Sequence, residues 1–132
     1  MRSLDMNVLV RYLTADDAHQ LATAERIVDQ CRDAGEPLFL ATLVICEAVW
    51  VLDRSYDLAK SQIVEVLDRI LAADQFRFER EALIRRALER FRKGKGNFAD
   101  YLIGEAAAEA GCRDTVTFDR ALKGSEGFTV LN

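Results

Sequence analysis

Short β-type runs separated by longer amphipathic stretches constrain this chain most, because strands that alternate with helices close into a parallel sheet covered on both faces. The chain opens with Ser3-Leu4-Asp5 and Val8-Leu9-Val10, both read as β-type. From Asp16 to Arg32, Leu21, Ala24, Ile27, Val28 and Cys31 recur at helical spacing, and Gly35-Glu36-Pro37 ends that pattern. Leu38-Phe39-Leu40-Ala41 reads as a buried strand, with Thr42 placed to cap a helix reaching about Arg54. Leu58, Ile63, Val66, Leu67, Ile70 and Leu71 predict a helix over Asp57 to Ala73, and Phe76-Arg77-Phe78 predicts a short strand. Between Glu81 and Arg92 an apolar stripe comprises Leu83, Ile84, Ala87, Leu88 and Phe91.

Gly94-Lys95-Gly96 interrupts that helix, and Asn97 can cap the next, which runs to about Ala110 and stops at Gly111. Asp114-Thr115-Val116-Thr117 reads as a strand, Phe118 to Lys123 as a helical turn, and Phe128-Thr129-Val130-Leu131 as a last strand. The 132 residues, half of them hydrophobic with one proline, fit a single globular domain over 1–132.

Composition removes several function classes. A formal net charge of −4 excludes a uniformly basic coat for nucleic acid, though not a local basic patch. No apolar run reaches the ~18 residues of a membrane span, and Asp5 interrupts what could resemble a leader. Cys31, Cys46 and Cys112 form neither a zinc pattern nor a disulfide framework. They read as small buried hydrophobes in a protein of the reducing cytoplasm. The single histidine, His19, excludes two-imidazole chemistry within one chain and reads as an exposed helix residue.

Four acids stand in apolar surroundings. Asp5 and Asp119 end strands, Asp100 lies in the first turn of a helix, and Glu47 lies mid-helix with Leu43, Val44, Trp50 and Val51 three and four residues away. Capping and the helix dipole account for Asp5, Asp119 and Asp100 individually. Glu47 on an apolar stripe must be protonated, paired with an arginine or bound to a metal, because an isolated buried charge is prohibitively costly. Trp50 beside it reads as core. In a parallel α/β sheet, ligands sit beyond the carboxyl ends of the strands. Both strand-end acids lie there, and a helix antiparallel to the strands brings Asp100 to the same edge. Oxygen-only donors select Mg²⁺ or Mn²⁺.

At this point the sequence resembles a known family. Leu4-Asp5-Met6-Asn7-Val8-Leu9-Val10-Arg11-Tyr12-Leu13 is similar to the opening motif of PIN domains, specifically of VapC-type toxins from bacterial toxin–antitoxin pairs. Glu47, Asp100 and Thr117-Phe118-Asp119 match the family's later acids in the same order, over essentially the whole chain. Met6 departs where Thr or Ser is common, and Asn97 where a further Asp is often found.

The resemblance implies a three-layer α/β/α fold around a mostly parallel sheet, with strand order 3-2-1-4-5. It implies a metal-dependent endoribonuclease in which Asp5, Glu47, Asp100 and Asp119 hold Mg²⁺ or Mn²⁺, supported by Asn7 and Thr117. It further implies products with 5′-phosphate and 3′-hydroxyl ends, a homodimer, and an antitoxin partner. Lys93, Lys95 and Arg11 are the candidate RNA contacts, whereas Arg85 and Arg86 read as a solvated helix face. Tyr12 and Tyr101 read as packing residues. The alternatives are a non-catalytic PIN-like interaction module and an aspartyl-phosphate receiver or phosphatase. The last lacks an Asp-x-Asp at the first strand and leaves Glu47 without a role.

Overall fold

A computed structural model describes residues 1–132, which divide into two compact units, Met1–Arg80 and Glu81–Asn132. The first contains β1 (Arg2–Ser3), α1 (Met6–Leu13), α2 (Ala18–Asp33), β2 (Leu38–Leu40), α3 (Thr42–Arg54), α4 (Lys60–Ala72) and β3 (Phe76–Phe78). The second contains α5 (Glu81–Lys93), α6 (Phe98–Glu109), β4 (Thr115–Thr117), a 3₁₀ turn (Arg120–Leu122) and β5 (Phe128–Val130). The protein is α/β, and every strand pair is parallel.

In the first unit β2 is the central strand of the order β1-β2-β3, with Ser3 opposite Phe39 and Leu40 opposite Phe78. Leu38 and Leu40 are fully buried, and Leu9, Val28, Ile45 and Leu52 on the surrounding helices are also almost wholly excluded from solvent. In the second unit β4 pairs with β5, Thr115 opposite Phe128 and Thr117 opposite Val130. The expected 3-2-1 and 4-5 neighbours are therefore present, each in its own sheet.

The stripe Leu83, Ile84, Ala87, Leu88 and Phe91 is the buried face of α5 as expected. Phe91 meets Phe98 of α6 edge-on, with centroids 5.9 Å apart. Tyr101 is buried and packs edge-on against Phe128, and Tyr12 against Phe76. The packing roles read for both tyrosines hold.

Several local expectations give way. Val8-Leu9-Val10 is helical within α1, because turning Leu9 and Val10 inward on a helix buries both neighbours, which a strand's alternating faces would not. The helix expected from Asp57 begins at Lys60, since Asp57 takes φ 52°, a left-handed conformation that breaks the helix before it starts. Thr42 does not cap α3; Ala41 occupies the cap position, and the Thr42 amide donates to Glu79 Oε1 at 2.8 Å. A side chain distant in sequence thus closes that helix end, which local patterning cannot reveal. Cys31 is buried, but Cys46 is half-buried and Cys112 exposed, so only the first behaves as a core residue. No helix is long and apolar enough to cross a membrane.

Leu9→Ala removes a fully buried side chain at the α1 face and is expected to lower stability by roughly 2–5 kcal/mol, read by equilibrium urea unfolding. A loss under about 1 kcal/mol would mean that this part of the core tolerates a void.

Candidate functional site

Asp5 occupies the N-cap position of α1, two residues beyond the end of β1, yet its side chain makes no capping hydrogen bond. Its main-chain carbonyl accepts from the Leu9 amide at 3.1 Å, so the helix start is satisfied by backbone alone and the exposed carboxylate is left for other use. Asn7, in the first turn, lines a cleft of about 610 Å³ with Arg11, His19, Gln20, Thr23 and Ile27, between α1 and α2. Nothing in the sequence pattern announces this cleft. His19 is exposed, as read.

Glu47 overturns its expectation. It is exposed, on the side of α3 opposite the buried residues Ile45, Ala48, Val49 and Leu52. Trp50, expected in the core, is 60% exposed, and Leu43 is 68% exposed. Two of the four apolar neighbours that implied a buried charge, Leu43 and Trp50, are themselves at the surface, and Val44 and Val51 are only half-buried, so solvation meets the charge of Glu47 without an arginine partner. Its charge acts on the adjacent Cys46: burial pushes that thiol up first, and the Glu47 carboxylate adds to the rise.

Asp100 and Asp119 lie in the second unit and do local structural work as well. The half-buried Asp100 uses Oδ2 to accept from the Asn97 amide at 2.8 Å, closing the start of α6 where the Asn97 side chain makes no cap. The Asp119 carboxylate accepts from the Ala121 amide at 2.9 Å through Oδ1, and the Asp119 amide donates to the Thr117 hydroxyl at 3.0 Å. The capping reading holds for Asp119, while Asp100, read for the helix dipole, also closes the helix start with a hydrogen bond. Each binds the backbone through one carboxylate oxygen and keeps the second. Thr117 holds the turn that carries Asp119.

The basic residues divide sharply. Arg85 pairs with Glu81 at 3.2 Å, and Arg86 with Glu105 and Glu109, which fits the solvated helix face read for both. Lys93 pairs with Glu89 at 3.0 Å, and together with Arg92 it holds the Glu89 carboxyl below its usual range. Lys95 is exposed and makes no ion pair. Its loop is held from beneath: the Gly96 amide donates to the Tyr101 hydroxyl at 2.9 Å, and a Cβ on Gly94 would lie 2.0 Å from that hydroxyl. The two glycines let the backbone lie against Tyr101 and turn Lys95 outward.

Arg11 is engaged on both sides. Its guanidinium donates to Gln20 and to the Tyr56 hydroxyl, and lies 3.4 Å from Asp16. Tyr56 in turn donates to Asp16 at 2.8 Å and Thr14 does so at 3.0 Å. The Tyr56 hydrogen bond is the main reason the Asp16 carboxyl titrates below its ordinary value of 3.8, with Thr14 and Arg11 adding to it.

Asp5 and Glu47 therefore belong to the first unit and Asp100 and Asp119 to the second; within neither unit are three His, Cys, Asp or Glu side chains gathered to hold a metal ion. In donor chemistry the set fits a hard divalent cation, because it offers four carboxylates whose oxygens the fold does not fully consume.

The PIN domain model matches residues 3–124, all but the ends of the chain. The chain belongs to the PIN-domain family. Among PIN-domain relatives it is similar to the VapC ribonuclease of Aquifex aeolicus (strain VF5), with 32% identity over 132 residues that cover 100% of this chain and 96% of the relative. Among solved structures it is similar to Mycobacterium tuberculosis VapC20, described as a sarcin-ricin loop cleaving toxin. That match has 19% identity, 96% coverage of each chain and a TM-score of 0.44.

Because the Asp16 carboxyl is depressed in the folded chain, the stability it contributes is present above pH 3.8 and is lost as pH falls through its lower, folded value. Tyr56→Phe removes the largest cause and is expected to move the Asp16 midpoint up toward the ordinary carboxylate value, followed by NMR pH titration. An unmoved midpoint would show that Tyr56 does not hold Asp16 in solution.

Proposed function

We propose that this PIN-domain protein is a metal-dependent endoribonuclease that hydrolyses RNA phosphodiester bonds and serves as the toxin of a type II toxin–antitoxin system. The observation that carries the reading is the end-to-end likeness to a VapC ribonuclease. The acid at each expected position strengthens it, because Asp5 and Glu47 keep open carboxylates while Asp100 and Asp119 each keep an oxygen beyond their backbone bonds.

Asp5, Glu47, Asp100 and Asp119 are assigned to hold Mg²⁺ or Mn²⁺. A bound ion of this kind supplies hydroxide near neutral pH and neutralises charge on the phosphoryl oxygens. Asn7 orients the Asp5 end of α1, and Thr117 fixes the Asp119 turn through the hydrogen bond from the Asp119 amide. An acidic centre repels RNA, so cations outside it must attract the strand. Lys95 is best placed for a phosphate, being exposed and without an acidic partner. Lys93 and Arg11 join it by exchanging Glu89 and Asp16 for phosphate oxygens. A homodimer, an antitoxin partner and cytoplasmic action complete the reading by analogy with the family.

The purified 132-residue chain, incubated with RNA and Mg²⁺ or Mn²⁺, is expected to cut it in a chelator-sensitive reaction that leaves 5′-phosphate and 3′-hydroxyl ends. Asp5→Asn, Glu47→Gln, Asp100→Asn and Asp119→Asn should each lose more than the ~10–100-fold that removal of an outer supporting group costs, and Thr117→Ala should fall within that span. Cleavage that ignores the chelator, or full activity in Asp5→Asn and Asp100→Asn, would overturn the assignment. RNA binding without cleavage by the native chain would favour a non-catalytic interaction module.

A further inference from the structure

A second cavity in the first unit, of about 310 Å³, opens between α1 and α3. Met6, Val10 and Val51 form its apolar walls, and Arg11, Asp16 and Tyr56 bring polar groups to it. Its place follows from helix spacing. Glu47, Val51 and Ser55 recur every four residues, so the lining residues Val51 and Ser55 continue the ridge of α3 that starts at Glu47. On α1, Met6 directly follows Asp5, and Arg11 lies about 7.5 Å further along the axis. One end of the cavity thus adjoins the residues next to both acids of this unit, and the other holds the Arg11 guanidinium. Its volume stands at the small end of the roughly 300–1,000 Å³ of ligand pockets, which leaves room for one base and not for a folded strand.

We propose that this cavity is a base-selecting subsite for a guanine next to the bond being cut, with Asp16 reading its N–H edge and Arg11 holding the phosphate beyond it. This rests on the ribonuclease reading and deepens it by naming a base. Hydrogen-bonding capacity decides which base fits. The ionised Asp16 carboxylate only accepts, and it has about four lone-pair positions. Thr14 Oγ1 donates to its Oδ1 at 3.0 Å and the Tyr56 hydroxyl to its Oδ2 at 2.8 Å, while Arg11 Nη1 donates to Oδ2 at a long 3.4 Å. Once Arg11 turns to a phosphate, each oxygen keeps one hydroxyl and has one position open. Two neighbouring N–H groups fill those positions, and guanine alone among the four bases carries two such donors side by side, at N1 and N2. Adenine and cytosine place a ring-nitrogen acceptor beside their amino group, and uracil flanks its one N–H with two carbonyls. Each of these sets a lone pair against the carboxylate and is rejected for it. Thr14 and Tyr56 fix the direction of the carboxylate before any base arrives, which spares the cost of ordering it on binding.

The test uses oligouridine RNA carrying guanosine, inosine, adenosine or cytidine at one central position, with the all-uridine strand as reference. Binding is measured on the 132-residue Asp100→Asn chain with Mg²⁺, and cleavage of the same strands is mapped with the native chain. The guanosine strand is expected to bind roughly 5- to 100-fold more tightly than the reference and to be cut beside the guanosine. Inosine lacks only the N2 amino group and should lose most of that gain. Asp16→Asn should bring the guanosine-to-uridine ratio down toward one, and Ser55→Phe, which fills the cavity from its rim, should do the same. The ratio is read within each variant, so partial misfolding lowers both strands together and leaves it unmoved.

Strands that are bound and cut alike, or a preference for another base, overturn the subsite while leaving the ribonuclease reading intact. A guanosine preference that survives unchanged in Asp16→Asn also overturns it, because the carboxylate is then not the reader. Guanosine-selective binding by a native chain that cuts none of the strands keeps the subsite and removes the ribonuclease.

Discussion

The first unit depends on the parallel ladder through β2. All three of its residues pair with β3, and Leu38 and Phe39 pair with β1 as well; α1 and α3 begin just beyond the ends of β1 and β2. A parallel strand cannot return through a tight turn, so each connection must be a helix, and each helix must bury one face on the sheet. Leu38 and Leu40 supply the buried surface that this requires, and the strand ends then set the starting points of α1 and α3, which bear Asp5 and Glu47. The acids are placed by the sheet.

Much of this was legible in the chain. The stripe on α5, the Phe76-Arg77-Phe78 strand and the Gly94-Lys95-Gly96 interruption follow from spacing and backbone preference, which act over a few residues. Val8-Leu9-Val10 was not, because a short apolar run satisfies a strand and a helix equally and packing decides. Nor was the closure of α3, which uses Glu79 from another part of the chain. The same limit governs Glu47. Apolar neighbours at helical spacing locate a face but do not say whether anything lies against it, and on α3 two of those neighbours face water.

Two of the four acids show how a capping side chain can stay partly open. Asp100 and Asp119 sit at element starts because main-chain amides there lack partners within the helix, and a carboxylate oxygen meets that need. A carboxylate has a second oxygen, so the fold can anchor the group and still present it. Asp5 differs, since the helix it starts is closed by its own carbonyl and the side chain is spared altogether. Anchored acids are held to one direction, whereas an unanchored one keeps its rotamers until something binds it.

The loop on Tyr101 separates shape from charge. Side chains at 94 and 96 would strike the ring or Leu122, so those two positions accept almost no enlargement, while residue 95 between them touches nothing that fixes its identity. Substitutions there can reverse or abolish the local field without bending the backbone. Descendants of this protein could therefore change the charge of this loop through a single codon, and the scaffold would not register the change.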